Sequence, residues 1–177
     1  VGPVIKSAGL ILIGILLLAL FGCASLPNEF EMPLSKAFTN TDTTAIGKAI
    51  AQKTSDYPGQ SGFFILESGL DAFVARAALA RFSERSIDAQ YYMYHDDLVG
   101  RLLSDQLIKA ADRGIRVRLL LDDMGLKNRD QGLALLDAHP NIEIRIFNPF
   151  SRNVFRASQI ITRLGSVTRR MHNKSFI

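Results

Sequence analysis

The chain has 177 residues, 47% of them hydrophobic, with 21 Lys and Arg against 17 Asp and Glu and a formal charge of +4. That length can bury one core and hardly two. A single cysteine, Cys23, excludes an internal disulfide and any metal cluster built from cysteines.

The apolar residues are unevenly spread. Lys6 precedes thirteen residues, Ala8 to Leu20, that carry no charge and no polar side chain. A basic residue followed by a short apolar run is the layout of a bacterial export signal. As a helix the run covers ~20 Å, short of the ~30 Å hydrocarbon core of a bilayer. Counted from Val4 to Ala24 it is just long enough to span, so an uncleaved anchor stays open. Leu20-Phe21-Gly22-Cys23 resembles the lipobox of bacterial lipoproteins, although Phe21 is bulkier than the residue usual there. The resemblance implies a diacylglyceryl group on the Cys23 thiol and cleavage in front of it. The plainer alternative is a small apolar residue that ends a helix. Ala24 and Ser25 follow, with no Asp in second place, a pattern similar to that of lipoproteins sent to the outer membrane. The expectation is therefore a signal peptide over 1–22, lipid attachment at Cys23, and a site in the cell envelope facing the periplasm. Two or more acyl chains make such anchoring stable. Val1 stands where a start methionine belongs, so the front of the sequence is expected to be incomplete or to use a non-standard start.

Residues 23–61 read as a tether and lead-in, with Pro27, Pro33 and Pro58, many Ser, Thr and Asn, and one short helix around Thr44 to Lys53. Regular patterning starts at Gly62. Gly62 to Leu66 is a short apolar strand, and Ser68 with Asp71 has the form of a helix-start box. Leu70, Phe73, Val74, Ala77 and Ala78 then recur at helical spacing. Ser86 to Tyr94 is a strand rich in aromatics. Asp96 or Asp97 caps the next helix, whose core stripe is Leu98, Leu102, Leu103, Leu107 and Ala110, and Gly114 stops it. Arg116 to Leu121 forms a strand that runs into Asp122 and Asp123. Gln131 to Ala138 is a short helix before Pro140, and Ile142, Ile144 and Ile146 alternate with Glu143 and Arg145 in a strand with one wet face. The alternation of strand and helix gives an α/β class with a largely parallel sheet. Asn148 to Thr168 lacks a period and reads as a long active-site loop, and Met171 to Ile177 begins another strand.

Charge is uneven as well. From Ser151 to Ile177 there are six basic residues (Arg152, Arg156, Arg163, Arg169, Arg170, Lys174) and no Asp or Glu. Such a segment suits an anionic partner such as phosphate, or is a solvated basic surface. At its end His172, Asn173 and Lys174 form an H-x-K triplet, and strand alternation puts His172 and Lys174 on one face. A neutral imidazole can attack phosphorus while the ammonium stabilises charge on the non-bridging oxygens. That division of labour requires no metal and no cofactor.

The segment RRMHNKSFI resembles the first H-x-K-x-x-x-x-D motif of the phospholipase D superfamily. DAQYYMYHDD (Asp88 to Asp97), GRLL from Gly100, RGIRVRLLLDD (Arg113 to Asp123) and FNPF (Phe147 to Phe150) look like the bacterial C-type cardiolipin synthases and their lipoprotein relatives. The likeness runs from about Gly59 to Ile177. It implies a phospholipase-D-type mixed, largely parallel sheet flanked by helices, with 62–177 as the first half-domain. It also implies a phosphatidyl-enzyme mechanism in which two motifs meet at one site. One histidine forms a phosphohistidine and the other protonates the leaving alcohol. His172 is then the nucleophile and Lys174 binds phosphate. Two departures stand out. The motif's aspartate falls two residues beyond Ile177, and the second half with its own histidine and lysine is missing. The sequence is therefore expected to be a fragment, inactive alone, that is completed by a C-terminal half or a second subunit.

Other tempting residues have structural explanations. His95, Asp96 and Asp97 lack a completing metal ligand and are well placed as helix caps. Asp122-Asp123 sits at a strand end, where α/β ligands bind, but two carboxylates repel a phosphate, which favours loop structure. His139 before Pro140 is a helix terminus, and Tyr91, Tyr92 and Tyr94 read as core and sheet-face residues.

The leading reading is a lipid-anchored enzyme acting on phospholipid phosphodiesters, phosphatidylglycerol or a similar lipid, by phosphatidyl transfer or hydrolysis, with no nucleic acid as partner. A nuclease of the same superfamily and a non-catalytic lipoprotein that binds anionic headgroups are the alternatives. For the anchor, Cys23→Ser should block processing or release the mature protein from the membrane. Unchanged processing and mass, read by mass spectrometry of the membrane fraction, would remove the lipoprotein reading.

Overall fold

The computed structural model describes residues 34–126, 129–152 and 156–177, with Gly14. The expected signal segment, Cys23 and the first part of the tether lie outside the described residues. Among the described residues no helix is long and apolar enough to cross a membrane.

The chain divides into two compact units, of which the larger comprises 34–147 and 170–177. It opens with helix α1 (Ala45–Thr54), started by Thr44, whose hydroxyl accepts from the Gly47 amide. Helix α2 (Gly69–Phe82) begins at the box read from the sequence: Ser68 Oγ accepts from Asp71 N at 3.1 Å and donates to Asp71 Oδ2 at 2.7 Å. Strand β1 (Ser86–Tyr91), helix α3 (Leu98–Asp112), strand β2 (Arg116–Asp122), helix α4 (Asp130–Asp137) and strand β3 (Ile142–Phe147) follow. Asp97 caps α3 by accepting from Gly100 N. After its last turn, Gly114 adopts φ +87, a conformation that glycine enters without steric cost. Arg113, at the same turn, donates to the carbonyls of Ala80 and Arg81 and so holds the negative end of α2.

The sheet has the order β3-β2-β1-β4, where β4 is Ser175–Phe176. β1, β2 and β3 are parallel, whereas β4 lies antiparallel against β1. The class is α/β with a mixed, largely parallel sheet, as the alternation of elements requires. One face carries Ile87 and Ala89, Val117, Leu119 and Leu121, and Ile142. These residues are buried together with Ala80, Leu103, Leu107, Ala110 and Leu133 from the helices. The opposite face is charged. Register places Asp88 beside Arg118 and Arg118 beside Glu143. Arg118 makes a two-pronged pair with Asp88 at 2.5 Å, and the hydrogen bond from Asp88 raises the guanidinium's already high pKa.

Several expectations need correction. Gly62 to Leu66 is not a strand: Phe63, Phe64 and Ile65 are exposed and no ladder reaches them. A strand needs a neighbour to satisfy its amides, and the four strands of the sheet pair elsewhere. β1 ends at Tyr91 rather than Tyr94. In α3 the buried residues are Gly100, Leu103, Leu107, Ala110 and Ala111, while Leu98 and Leu102 are exposed because the sheet meets the helix about one position further round. Met171 to Ile177 becomes strand only at Ser175–Phe176. Asn148 to Thr168 is not wholly a loop, since it contains helices α5 (Arg156–Thr162) and α6 (Leu164–Val167). These belong to the second unit, where Gln159 clamps both backbone groups of Ser151 and Asn148 Nδ2 donates to the Arg169 carbonyl.

The two faces of the sheet predict unequal responses to truncation. Leu119→Ala, in the apolar face, should lower the unfolding free energy by about 2–5 kcal/mol, and Leu120→Ala, on the charged face, by clearly less. Equal losses in urea denaturation would contradict the assignment of faces.

Candidate active site

β2 ends at Asp122, whose side chain is fully buried at the C-terminal end of the parallel strands. Its carboxylate takes three donors. Oδ1 accepts from Met124 N at 2.8 Å, which closes the tight turn Asp123–Gly125, and from Arg170 Nη1 at 3.1 Å. Oδ2 accepts from Met171 N at 2.9 Å. Arg170 is itself nearly buried, so this is an internal ion pair. One carboxylate therefore fixes both the turn after β2 and the two residues that immediately precede His172.

The other end of the triplet is held by β1. Asp88 N donates to the Ile177 carbonyl at 2.8 Å and Ile177 N to the Asp88 carbonyl at 3.0 Å, while Ser175 lies opposite Gln90. His172, Asn173 and Lys174 form an exposed segment pinned at both ends. Extended backbone there precedes β4 rather than belonging to it. Exposure is what an attacking group and a phosphate-binding cation require, because the substrate must reach them.

The His172 ring stacks on Tyr92, with centroids 4.9 Å apart and planes 23° from parallel. The sequence reading missed this role for Tyr92. Its neighbours behave as expected. Tyr94 is buried and shares a 2.7 Å hydrogen bond with Ser104, and Tyr91 packs against the core. Burial pushes both phenols above their ordinary range. Consecutive residues at a strand end face opposite ways, so the pair Tyr91-Tyr92 was the signal that one ring leaves the core.

The remaining candidates are structural. Asp97 is the α3 cap, and Asp96 pairs with Arg101, whose hydrogen bond holds the carboxyl below its usual range. His139 accepts the Asn141 amide at Nδ1 and lies 3.2 Å from Asp112. Asp122 contributes loop structure, as expected, but it also reaches the site. Among the described residues no three His, Cys, Asp or Glu side chains converge on a metal position.

Cardiolipin synthase C of Escherichia coli is 51% identical over 131 residues, which are 74% of this chain and 28% of that protein. The chain belongs with the cardiolipin synthases of the phospholipase D superfamily. An uncharacterized protein of Helicobacter pylori is 40% identical to this cardiolipin synthase homologue over 160 residues, 88% of the chain and 32% of the relative. The chain thus spans less than a third of the length of these curated relatives. No protein-family model matches it. Among solved structures, NucT from Helicobacter pylori overlays with a TM-score of 0.37 at 22% identity, over 48% of this chain and 52% of that one.

For the cardiolipin synthase homologue, Asp122→Ala removes the acceptor of three donors, one of them a buried guanidinium. Unfolding free energy should fall by about 3–5 kcal/mol, and by less in Asp122→Asn, which keeps the shape and one acceptor. A loss below 1 kcal/mol for Asp122→Ala, on the order of an exposed ion pair, would show that the carboxylate does not hold the segment.

Proposed function

We propose that the chain supplies the first motif of a phospholipid phosphodiesterase, with His172 as nucleophile and Lys174 as the phosphate-binding cation. One observation carries the reading. The H-x-K triplet is exposed and fixed from both sides, within a chain that is 51% identical over 131 residues to cardiolipin synthase C. An imidazole nitrogen attacks phosphorus, the bond from phosphorus to the leaving alcohol's oxygen breaks, and Lys174 offsets charge on the non-bridging oxygens. The departing alkoxide takes a proton from a second histidine, supplied by a further motif in a C-terminal half or another subunit. That histidine then deprotonates the incoming alcohol or water, which breaks the phosphorus–nitrogen bond and restores His172. The described residues hold one such histidine, so the chain alone is inactive in this scheme.

The domain plan that goes with this function has a signal peptide over 1–22, lipid attachment at Cys23, a tether to residue 61 and the half-domain over 62–177. The position of the only cysteine at the end of the apolar run supports it. An outer-membrane anchor facing the periplasm would keep the site beside its substrate.

Incubation of the full-length protein with phosphatidylglycerol, and separately with DNA, tests the proposal. Lipid turnover is expected, reduced by at least about 10³-fold in His172→Ala, as befits loss of a nucleophile. DNA cleavage without lipid turnover would overturn the substrate assignment in favour of a nuclease. Binding of anionic vesicles without any turnover would point to a non-catalytic lipoprotein.

A further inference from the structure

We propose that Tyr92 is a positioning residue that holds the His172 imidazole in its attacking orientation. The inference rests on the reading of His172 as the nucleophile and adds a group that the H-x-K motif does not contain. An exposed histidine on extended backbone is free to turn about both side-chain torsions. The phenol removes that freedom by covering one face of the imidazole, with centroids 4.9 Å apart and planes at 23°.

A face contact suits a nucleophile. Attack on phosphorus uses the in-plane lone pair of a ring nitrogen, and a partner that covers the ring's face leaves both edge nitrogens open. A hydrogen-bonding partner occupies one of them.

Tyr92 is itself fixed. It follows directly on β1, and its backbone lies against the turn that leaves β2. A Cβ added at Gly125 would stand 2.7 Å from the Tyr92 carbonyl oxygen and 3.3 Å from the Met93 Cα, so only glycine permits that approach. The same turn is closed by Asp122, which also accepts the Met171 amide. The backbone before His172 and the ring beneath its side chain are thus referred to one rigid feature. Tyr91 and Tyr94 are committed to the core, which leaves Tyr92 as the tyrosine of this run that faces the histidine.

The test compares kcat and KM for phosphatidylglycerol turnover by the full-length protein in three variants, Tyr92→Phe, Tyr92→Leu and His172→Ala. Tyr92→Phe keeps the ring and should stay within about twofold of the parent, while Tyr92→Leu should lose about tenfold in kcat with KM little changed, the upper end of what an aromatic pair contributes. Equal activity of Tyr92→Leu and the parent overturns the proposal. So does a Phe variant as weak as the Leu variant, which would assign the effect to the hydroxyl, or a rise in KM at constant kcat, which would make Tyr92 a substrate contact. A spectroscopic readout needs no Tyr92 variant to fold. The His172 ring protons, assigned by their absence in His172→Ala, should resonate upfield of those of His95 and His139 because of the phenol's ring current. Unshifted protons overturn the stack. If His172→Ala retains turnover, the nucleophile assignment fails and this inference with it. If His172→Ala is inactive and Tyr92→Leu is not, the inference alone fails.

Discussion

The structure turns on the Asp122 carboxylate. A buried charge is tolerated only when paired and hydrogen-bonded, and Asp122 meets that condition with two backbone amides and one guanidinium. Each donor comes from a place that matters. Met124 N belongs to the turn that ends β2, whereas Arg170 and Met171 lead into the H-x-K segment. Satisfying one strand-end charge therefore also decides where the chain returns to the sheet. The desolvation that makes the pair costly is what makes its geometry strict, since any displacement of residues 170–171 leaves the carboxylate short of donors.

Around that point the sheet is asymmetric. Parallel sheets are usually buried on both faces and read as continuous apolar runs. Here β2 alternates, with Val117, Leu119 and Leu121 in the core and Arg116 and Arg118 on the other face. The lead-in crosses that charged face: Ser35 Oγ accepts from Arg118, the Lys36 carbonyl accepts from Arg116, and the Phe38 ring lies 4.1 Å from the Arg116 guanidinium carbon. Helices supply the opposite cover, with Leu103, Leu107 and Leu133 packed in the apolar cluster. The strand ends are thereby held firmly, and the turn after β2 and the residue after β1 become rigid supports for what approaches them.

The site uses that rigidity rather than a rigid element of its own. His172 and Lys174 sit on extended backbone outside any ladder, yet their neighbours on both sides are fixed by Asp122 and by β1. This arrangement gives exposure without loss of position. Membership among the cardiolipin synthases gives the exposed pair its chemical meaning, and the Tyr92 ring gives the imidazole an orientation.

Much of this was legible beforehand, for local reasons. Ser68, Thr44 and Asp97 cap helices because a side-chain oxygen two or three residues ahead of an amide needs no tertiary context. Gly62 to Leu66 misled because an apolar run becomes a strand only beside another strand, and periodicity does not name the neighbour. Asn148 to Thr168 misled in the other direction, since helices of seven and four residues are too short to show a period. By itself, the sequence determined the order of strands and helices, the location of the H-x-K chemistry and the family resemblance. Each of these resides in spacing within a few residues or in blocks read in order. Only the tertiary structure decided that Asp122 reaches Met171, forty-nine residues away, and that Tyr92 rather than Tyr91 or Tyr94 meets His172. Those contacts depend on the register of β4 against β1 and on which turn the returning chain finds, and no local pattern records either.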